Sequence, residues 1–306
     1  MGKQTNRKGS HFGGEWTIQK LNIIEKYINA YLTALKNQRV KKIYVDGFAG
    51  SGITKLKTKE EFTAGIHVNL LGEESSFDEA PTMIDGSAML SLKYDFDEYY
   101  FLELNKERIQ TLKNNIKERY PDKYDKVHFI SGDSNSTLLD VVRKINVYSR
   151  CLMFLDPYAL ELRWETLEAI SKCGVIDLWY LFPLSLIRLM EKNKDIPKAN
   201  QDKVTSILGT NTWMDELYKK LDEQIDMFGG VQQSYCRVSY DSVLKYIMNR
   251  FKTIFPYVCP YSKMLYNEAK HAPMFMLCFM MTNKSVKACG LAGRLAKEII
   301  SSTEKI

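Results

Sequence analysis

The sequence predicts an α/β fold: a doubly wound, mostly parallel sheet with helices on both faces. Three observations carry that expectation. An apolar, β-branched run, Ile43-Tyr44-Val45, ends in Asp46 and then in the glycine-spaced turn Gly47-Phe48-Ala49-Gly50-Ser51-Gly52. That is how a first strand feeds a nucleotide-binding loop. Apolar runs then alternate with amphipathic helical stretches, the signature of a parallel sheet with helical crossovers. The fourth such run, Cys151-Leu152-Met153-Phe154-Leu155, is continuously apolar, as a central strand covered on both faces must be.

Taken in order, Met1 to Gly14 reads as a flexible basic arm, and the rest, 15–306, as one domain. The 306 residues and 45% hydrophobic content suffice for one large core. From Trp16 to Lys36 apolar residues recur at helical spacing. After the glycine turn a polar excursion, 53–85, precedes the helix that begins at Gly86-Ser87-Ala88, with Ser87 expected as its cap. Tyr99 to Glu103 reads as the second strand, Lys106 to Arg119 as a helix, and Val127 to Ile130 as the third strand. Thr137 to Ile145 is helical. Trp164 to Lys172 is helical, Ile176 to Phe182 is the fifth strand, and 184–192 continue as helix. Lys192 to Lys203, with Pro197, reads as a linker opening a helical insertion over about 192–230. A helix over Tyr240 to Phe251 follows. Ser262 to Asn267 and Met274 to Thr282 form an antiparallel hairpin, and Ser285 to Ile300 closes the chain as a helix.

Composition excludes several classes. No run of about twenty apolar residues is present, so no membrane-spanning helix is expected. Met1 to Gly14 lacks the apolar segment of a signal peptide. Six scattered cysteines without a CxxC pair indicate a reducing, cytoplasmic setting and no bound zinc. A net charge of +6 permits a polyanionic partner without demanding one.

The chemistry is expected at the carboxyl ends of the strands, where open parallel sheets bind ligands. Asp46 with its glycine turn, Glu103 and Asp133 stand at the ends of the first three strands. A carboxylate accepts from both hydroxyls of a ribose, which suits Glu103. Asp133 is placed to accept from the amine of adenine, with Ser134 supplying a backbone donor. The third glycine of a dinucleotide fingerprint is missing and the helix is delayed, so a cofactor without phosphates, S-adenosylmethionine, fits better than a dinucleotide. At the fourth strand's tip stand Asp156-Pro157-Tyr158. Asp156 is suited to accept from a target amine and Tyr158 to stack on a planar base, worth about 1–3 kcal/mol.

Asp46-Gly47-Phe48-Ala49-Gly50-Ser51-Gly52 resembles the D-x-F-x-G-x-G first motif of class I methyltransferases, and Asp156-Pro157-Tyr158 resembles their D-P-P-Y fourth motif, one proline short. Trp16-Thr17 with Lys20, Gly86-Ser87-Ala88, Gly132-Asp133-Ser134-Asn135 and Asp177 through Arg188 extend the resemblance to the bacterial three-Cys-motif partner proteins. It covers roughly residues 12–300. The resemblance implies a Rossmann-like class I methyltransferase fold, with a seven-stranded sheet whose last hairpin is antiparallel. It also implies S-adenosylmethionine held by Asp46, Gly47, Phe48, Gly50, Gly52, Glu103, Leu104, Asp133 and Ser134, with Asp156, Pro157 and Tyr158 catalytic. The partner would be a neighbouring three-cysteine, iron–sulfur or radical-type protein, and the acceptor an amino group of a nucleobase or nucleic acid.

Arg188 is expected near the ligand edge, holding a phosphate or carboxylate of the substrate. Lys55, Lys57 and Lys59 form a basic run near the mouth. Asp177, within a strand, is expected to anchor a loop. His11, His67, His128 and His271 are dispersed and carry no catalytic pattern. Two other classes fit the same residues: a non-catalytic partner subunit that binds the cofactor or a substrate, and a Rossmann enzyme using a nicotinamide cofactor.

Overall fold

The computed structural model describes residues 14–55, 83–221, 224–225, 231–267 and 272–302. Most of the expected arm and excursion lies outside them, as do His11, Lys57, Lys59, His67 and His271. Strand β1 (Lys41–Asp46) runs parallel to β4 (Glu98–Glu103) on one side and to β6 (Ser149–Leu155) on the other. β5 (Val127–Ser131) extends the sheet beyond β4, and β7 (Ile176–Pro183) extends it beyond β6, both parallel. The strand order therefore reverses at β1, which opens a crevice above its carboxyl end. This is a Rossmann-like α/β fold with a mostly parallel sheet.

The last strand, β14 (Ala272–Met281), lies antiparallel to β7. Its other edge is shared by β13 (Lys263–Asn267) and the two-residue β12 (Tyr257–Val258). The sheet thus has eight strands where seven were expected, because the outermost strand is laid down in two pieces. Pro260 stands in the break. It has no N–H to give to a ladder, so pairing stops there and resumes at Lys263.

Alternation along the strands sorts the core into two layers. Tyr44, Phe101, Phe154, Trp179 and Phe279 face α1 (Glu15–Ala34), α2 (Ser87–Ser91), α3 (Lys106–Arg119) and α10 (Val286–Ser302). Ile43, Val45, Met153, Leu178 and Tyr180 face α4 (Ser134–Lys144), α5 (Trp164–Ser171), α7 (Lys198–Leu208) and α9 (Tyr240–Lys252). Each such side chain contributes roughly 1.5–3 kcal/mol by leaving water. α1 is pinned to the sheet by a polar bond as well. The Tyr27 hydroxyl donates to Asp177 Oδ2 at 2.8 Å inside the core. Asp177 therefore anchors a helix rather than the expected loop, and burial pushes its carboxyl up to about 7.

Three local expectations change. Only one turn of 184–192 is helical, α6 (Leu186–Leu189). Pro197, read as part of a linker, is the N-cap of α7, where its missing N–H costs nothing. After α8 (Trp213–Glu216) the insertion leaves the helical state. β8 (Tyr218–Lys220) pairs with β11 (Tyr235–Arg237), and β9 (Gln224–Ile225) with β10 (Val231–Gln232), all antiparallel. The glycine pair Gly229-Gly230 in this stretch of sequence disfavours a helix spanning it.

Candidate active site

Asp46 ends β1 fully buried, and its carboxylate organises the turn that follows. Oδ1 accepts the Phe48 N–H at 3.0 Å, and Oδ2 accepts the Ser87 hydroxyl at 2.5 Å. Burial pushes the carboxyl up to about 7, against the pull of the Ser87 and Phe48 hydrogen bonds. Ser87 is thus not the cap of α2. Gly86 takes the N-cap position, and the Ser87 hydroxyl ties the helix to the strand end. The excursion that separates loop from helix in sequence does not separate them in space. Its two ends pair as β2 (Ile53–Lys55) and β3 (Met83–Asp85), and the Gly86 N–H donates to the Gly52 carbonyl at 2.8 Å. Arg119 grips Asp85 with both terminal guanidinium nitrogens, at 2.6 and 2.9 Å, and fixes this stem to α3.

Gly50 and Gly52 have φ of 60° and 79°, a region that glycine enters without strain. A Cβ on Gly50 would meet nothing within 4 Å, so bare backbone faces the cavity there. A Cβ on Gly52 would stand 2.6 Å from Leu112 Cδ1. Gly47 is a packing glycine, crowded by Leu155 and Leu138, and its carbonyl accepts the Ser134 hydroxyl at 2.7 Å.

A cavity of about 1050 Å³ lies above these strand ends. Phe48, Gly50, Gly52, Glu103, Leu104, Asp133, Ser134, Asp156, Pro157 and Tyr158 all line it. Asp46 and Gly47 lie behind its wall. Glu103 is buried, and its Oε1 accepts the Asn105 N–H at 2.8 Å. Asp133 caps α4 through the Asn135 N–H at 3.0 Å, and its Oδ2 meets Arg163 at 3.2 Å in an exposed ion pair. Both of its oxygens are engaged. Arg188 does not join the site. The α6 turn buries Leu186 and Ile187, which sends Arg188 to the exposed side, away from the cavity.

Thr17, Glu161, Lys203 and Phe275 are among the lining residues that had no assigned role in the sequence reading. Glu161 faces Glu103 and Asp133. Partial burial raises its carboxyl, Lys203 opposes that, and the two acids add to it. Lys20 forms an ion pair with Asp156 and stands 4.9 Å over the Trp16 ring. A signal for this was present. Thr17, Lys20 and Leu21 continue the buried stripe of α1 that runs through Ile24, Ile28 and Tyr31, whereas Ile18 is exposed.

No family model matches the sequence, and no curated protein matches it. Among solved structures the chain is similar to LPL1258 of Legionella pneumophila, described as DUF519. Identity is 17%, 80% of this chain and 94% of that one are covered, and the TM-score is 0.40. Spermidine synthase from Thermotoga maritima shares 9% identity over 90% of this chain and 62% of its own, with TM-score 0.39. The methyltransferase domain of bacterial CtHen1 shares 10% over 85% and 98%, with TM-score 0.36. Similarity at this level transfers no residue role. No helix among the described residues is long and apolar enough to cross a membrane.

Proposed function

We propose that the protein is an S-adenosylmethionine-dependent methyltransferase acting on an amino group of a nucleobase, free or in a nucleic acid. The observation that carries this reading is the single crevice in which the glycine loop, Glu103 and Asp156-Pro157-Tyr158 converge. The residues present fit the cofactor. Bare backbone at Gly50 leaves room for a close approach, and Glu103, a buried carboxylate in the wall, suits two ribose hydroxyls. Asp133, whose Oδ2 keeps acceptor capacity beside Arg163, and Glu161 both stand in the wall as acceptors for the adenine amine. When bound, the cofactor would supply a methyl group on its sulfonium: the acceptor nitrogen's lone pair would form the N–C bond as the S–C bond breaks, S-adenosylhomocysteine would leave, and the amine proton would pass to solvent. Asp156 accepts a hydrogen bond from that amine and orients its lone pair, while Lys20 holds the carboxylate in place. Tyr158, half exposed beside Asp156, offers a stacking face at the mouth. Alignment contributes more to such a displacement than strong acid–base help does.

Membership of the three-Cys-motif partner family remains part of the proposal. It is favoured by one observation: Trp16, Thr17 and Lys20, which carry that resemblance, line the same cavity as the distant Asp156, and Lys20 is ion-paired with it. That family adds a three-cysteine protein as partner and a cytoplasmic location. Titration calorimetry with S-adenosylhomocysteine and NAD tests the cofactor. Binding of NAD alone would sink the reading in favour of the nicotinamide enzyme. Transfer of labelled methyl to nucleosides, RNA or DNA, lost in Asp156→Ala, separates the enzyme from a non-catalytic partner subunit.

A further inference from the structure

The first turns of α1 form part of the cavity wall, and three observations meet there. The rings of Trp16 and Phe275 lie 5.0 Å apart at a 31° tilt, and both line the cavity. Thr17, 2% exposed, lines it too, and its hydroxyl has no hydrogen-bond partner among the described residues. A buried hydroxyl is ordinarily paired, and of the buried side-chain atoms without a partner among the described residues Thr17 Oγ1 is the one whose residue lines this cavity. Lys20, one turn further on, is ion-paired with Asp156 through Oδ2, and Oδ1 has no partner among the described residues.

We infer that this wall is the acceptor subsite and that its ligand is a neutral, amino-bearing nucleobase. The base lies against Trp16 and Phe275, Thr17 hydrogen-bonds its ring edge, and Asp156 Oδ1 accepts from its exocyclic amine. Trp16 and Thr17 touch the base. Lys20 is a positioning residue that acts through Asp156. Charge selects the class. An aliphatic amine is protonated at neutral pH and would meet the Lys20 ammonium beside Trp16, with Asp156 already paired. The amine of adenine or cytosine carries no charge and avoids that repulsion. A flat aromatic wall and a lone hydroxyl also suit a ring with polar edges better than a flexible chain.

The inference rests on the proposed function, because it needs the cofactor on the Glu103 side. The test is calorimetry on the full chain saturated with S-adenosylhomocysteine, which blocks the cofactor half. Adenosine, cytidine, inosine and uridine are titrated, and then the same bases in short single-stranded oligonucleotides. Adenosine or cytidine should bind at least about tenfold more tightly than inosine or uridine. If only the oligonucleotides bind, the base is delivered from a strand. If nucleosides bind equally well, the substrate is free. Thr17→Val should weaken the amino-bearing base about tenfold, leave S-adenosylhomocysteine affinity unchanged and not lower Tm, since it removes an unpaired buried hydroxyl. Trp16→Ala should weaken the base further, and Trp16→Phe should restore part of the affinity. Unchanged base affinity in Thr17→Val and Trp16→Ala overturns the inference alone, as does a loaded wild type that binds none of these probes. A wild type that binds no S-adenosylhomocysteine overturns the functional reading and this subsite with it.

Discussion

On the Glu103 side of the cavity, the motif residues proposed to hold the cofactor sit within a few residues of a strand end. The glycine turn follows Asp46 directly, Leu104 follows Glu103, and Asp133 caps the helix after β5. On the Asp156 side, the central contact joins residues 136 positions apart, Lys20 of α1 and Asp156. Phe275, from the last strand, completes that wall against Trp16. The first half is assembled by backbone geometry that short motifs encode. The second exists only because α1 is laid across the sheet and held there by Tyr27 and Asp177. In the proposed reading a local motif specifies where the cofactor goes, whereas packing of distant elements specifies what lies opposite it.

The largest expected effect attacks the locally encoded half. Gly52→Val places a Cβ 2.6 Å from Leu112 Cδ1 at a φ of 79°. Backbone strain alone costs about 1–3 kcal/mol there. S-adenosylhomocysteine affinity in calorimetry should fall more than about a hundredfold, with a lower Tm. A variant that still binds normally would mean the turn does not face the cofactor.

Next comes the packed half. Asp156→Ala should lower methyl transfer by about a hundredfold or more while cofactor affinity moves less than about threefold. Lys20→Met should follow it, since it leaves a half-buried carboxylate without its counter-charge. If Lys20→Met lost the cofactor as fully as the acceptor, the division into two halves would be wrong.

A smaller, sharpening effect is expected at Glu103. Glu103→Gln should weaken S-adenosylhomocysteine about tenfold, the scale of a hydrogen bond to a charged group. Glu161→Gln should cost less, because its carboxyl is only partly buried and already shifted toward the neutral form.

The smallest effect at the site, though not on the fold, belongs to Asp177. Its carboxyl is raised to about 7 in the folded protein, against an ordinary value of 3.8. Between those values the folded state binds the extra proton. Stability from this group is full below about pH 4 and is lost as pH rises toward 7, at up to about 1.4 kcal/mol per pH unit. Asp46 adds a second contribution of the same sign. Asp177→Asn keeps a partner for Tyr27 and removes one of the two. Denaturant titrations from pH 4 to 8 should show a shallower fall than wild type, with cofactor affinity unchanged. An unaltered slope would show that Asp177 does not titrate in this range.

The sequence by itself determined the parallel sheet, the helices on both sides, the antiparallel close, and the strand ends at which Gly50, Glu103, Asp133 and Asp156 stand. Strand periodicity, glycine spacing and apolar runs are local properties, so they survive in a linear string of residues. Only the tertiary structure decided that Asp46 and Ser87 are bonded across the excursion, that Arg188 faces solvent, that Pro260 splits the outer strand, and that Lys20 meets Asp156 beside an unpaired Thr17 hydroxyl. Those facts depend on which distant side chains are buried together. Local signals such as the helical stripe of α1 and Pro260 mark which residues are involved, but the partners they meet are set by the packed sheet and helices.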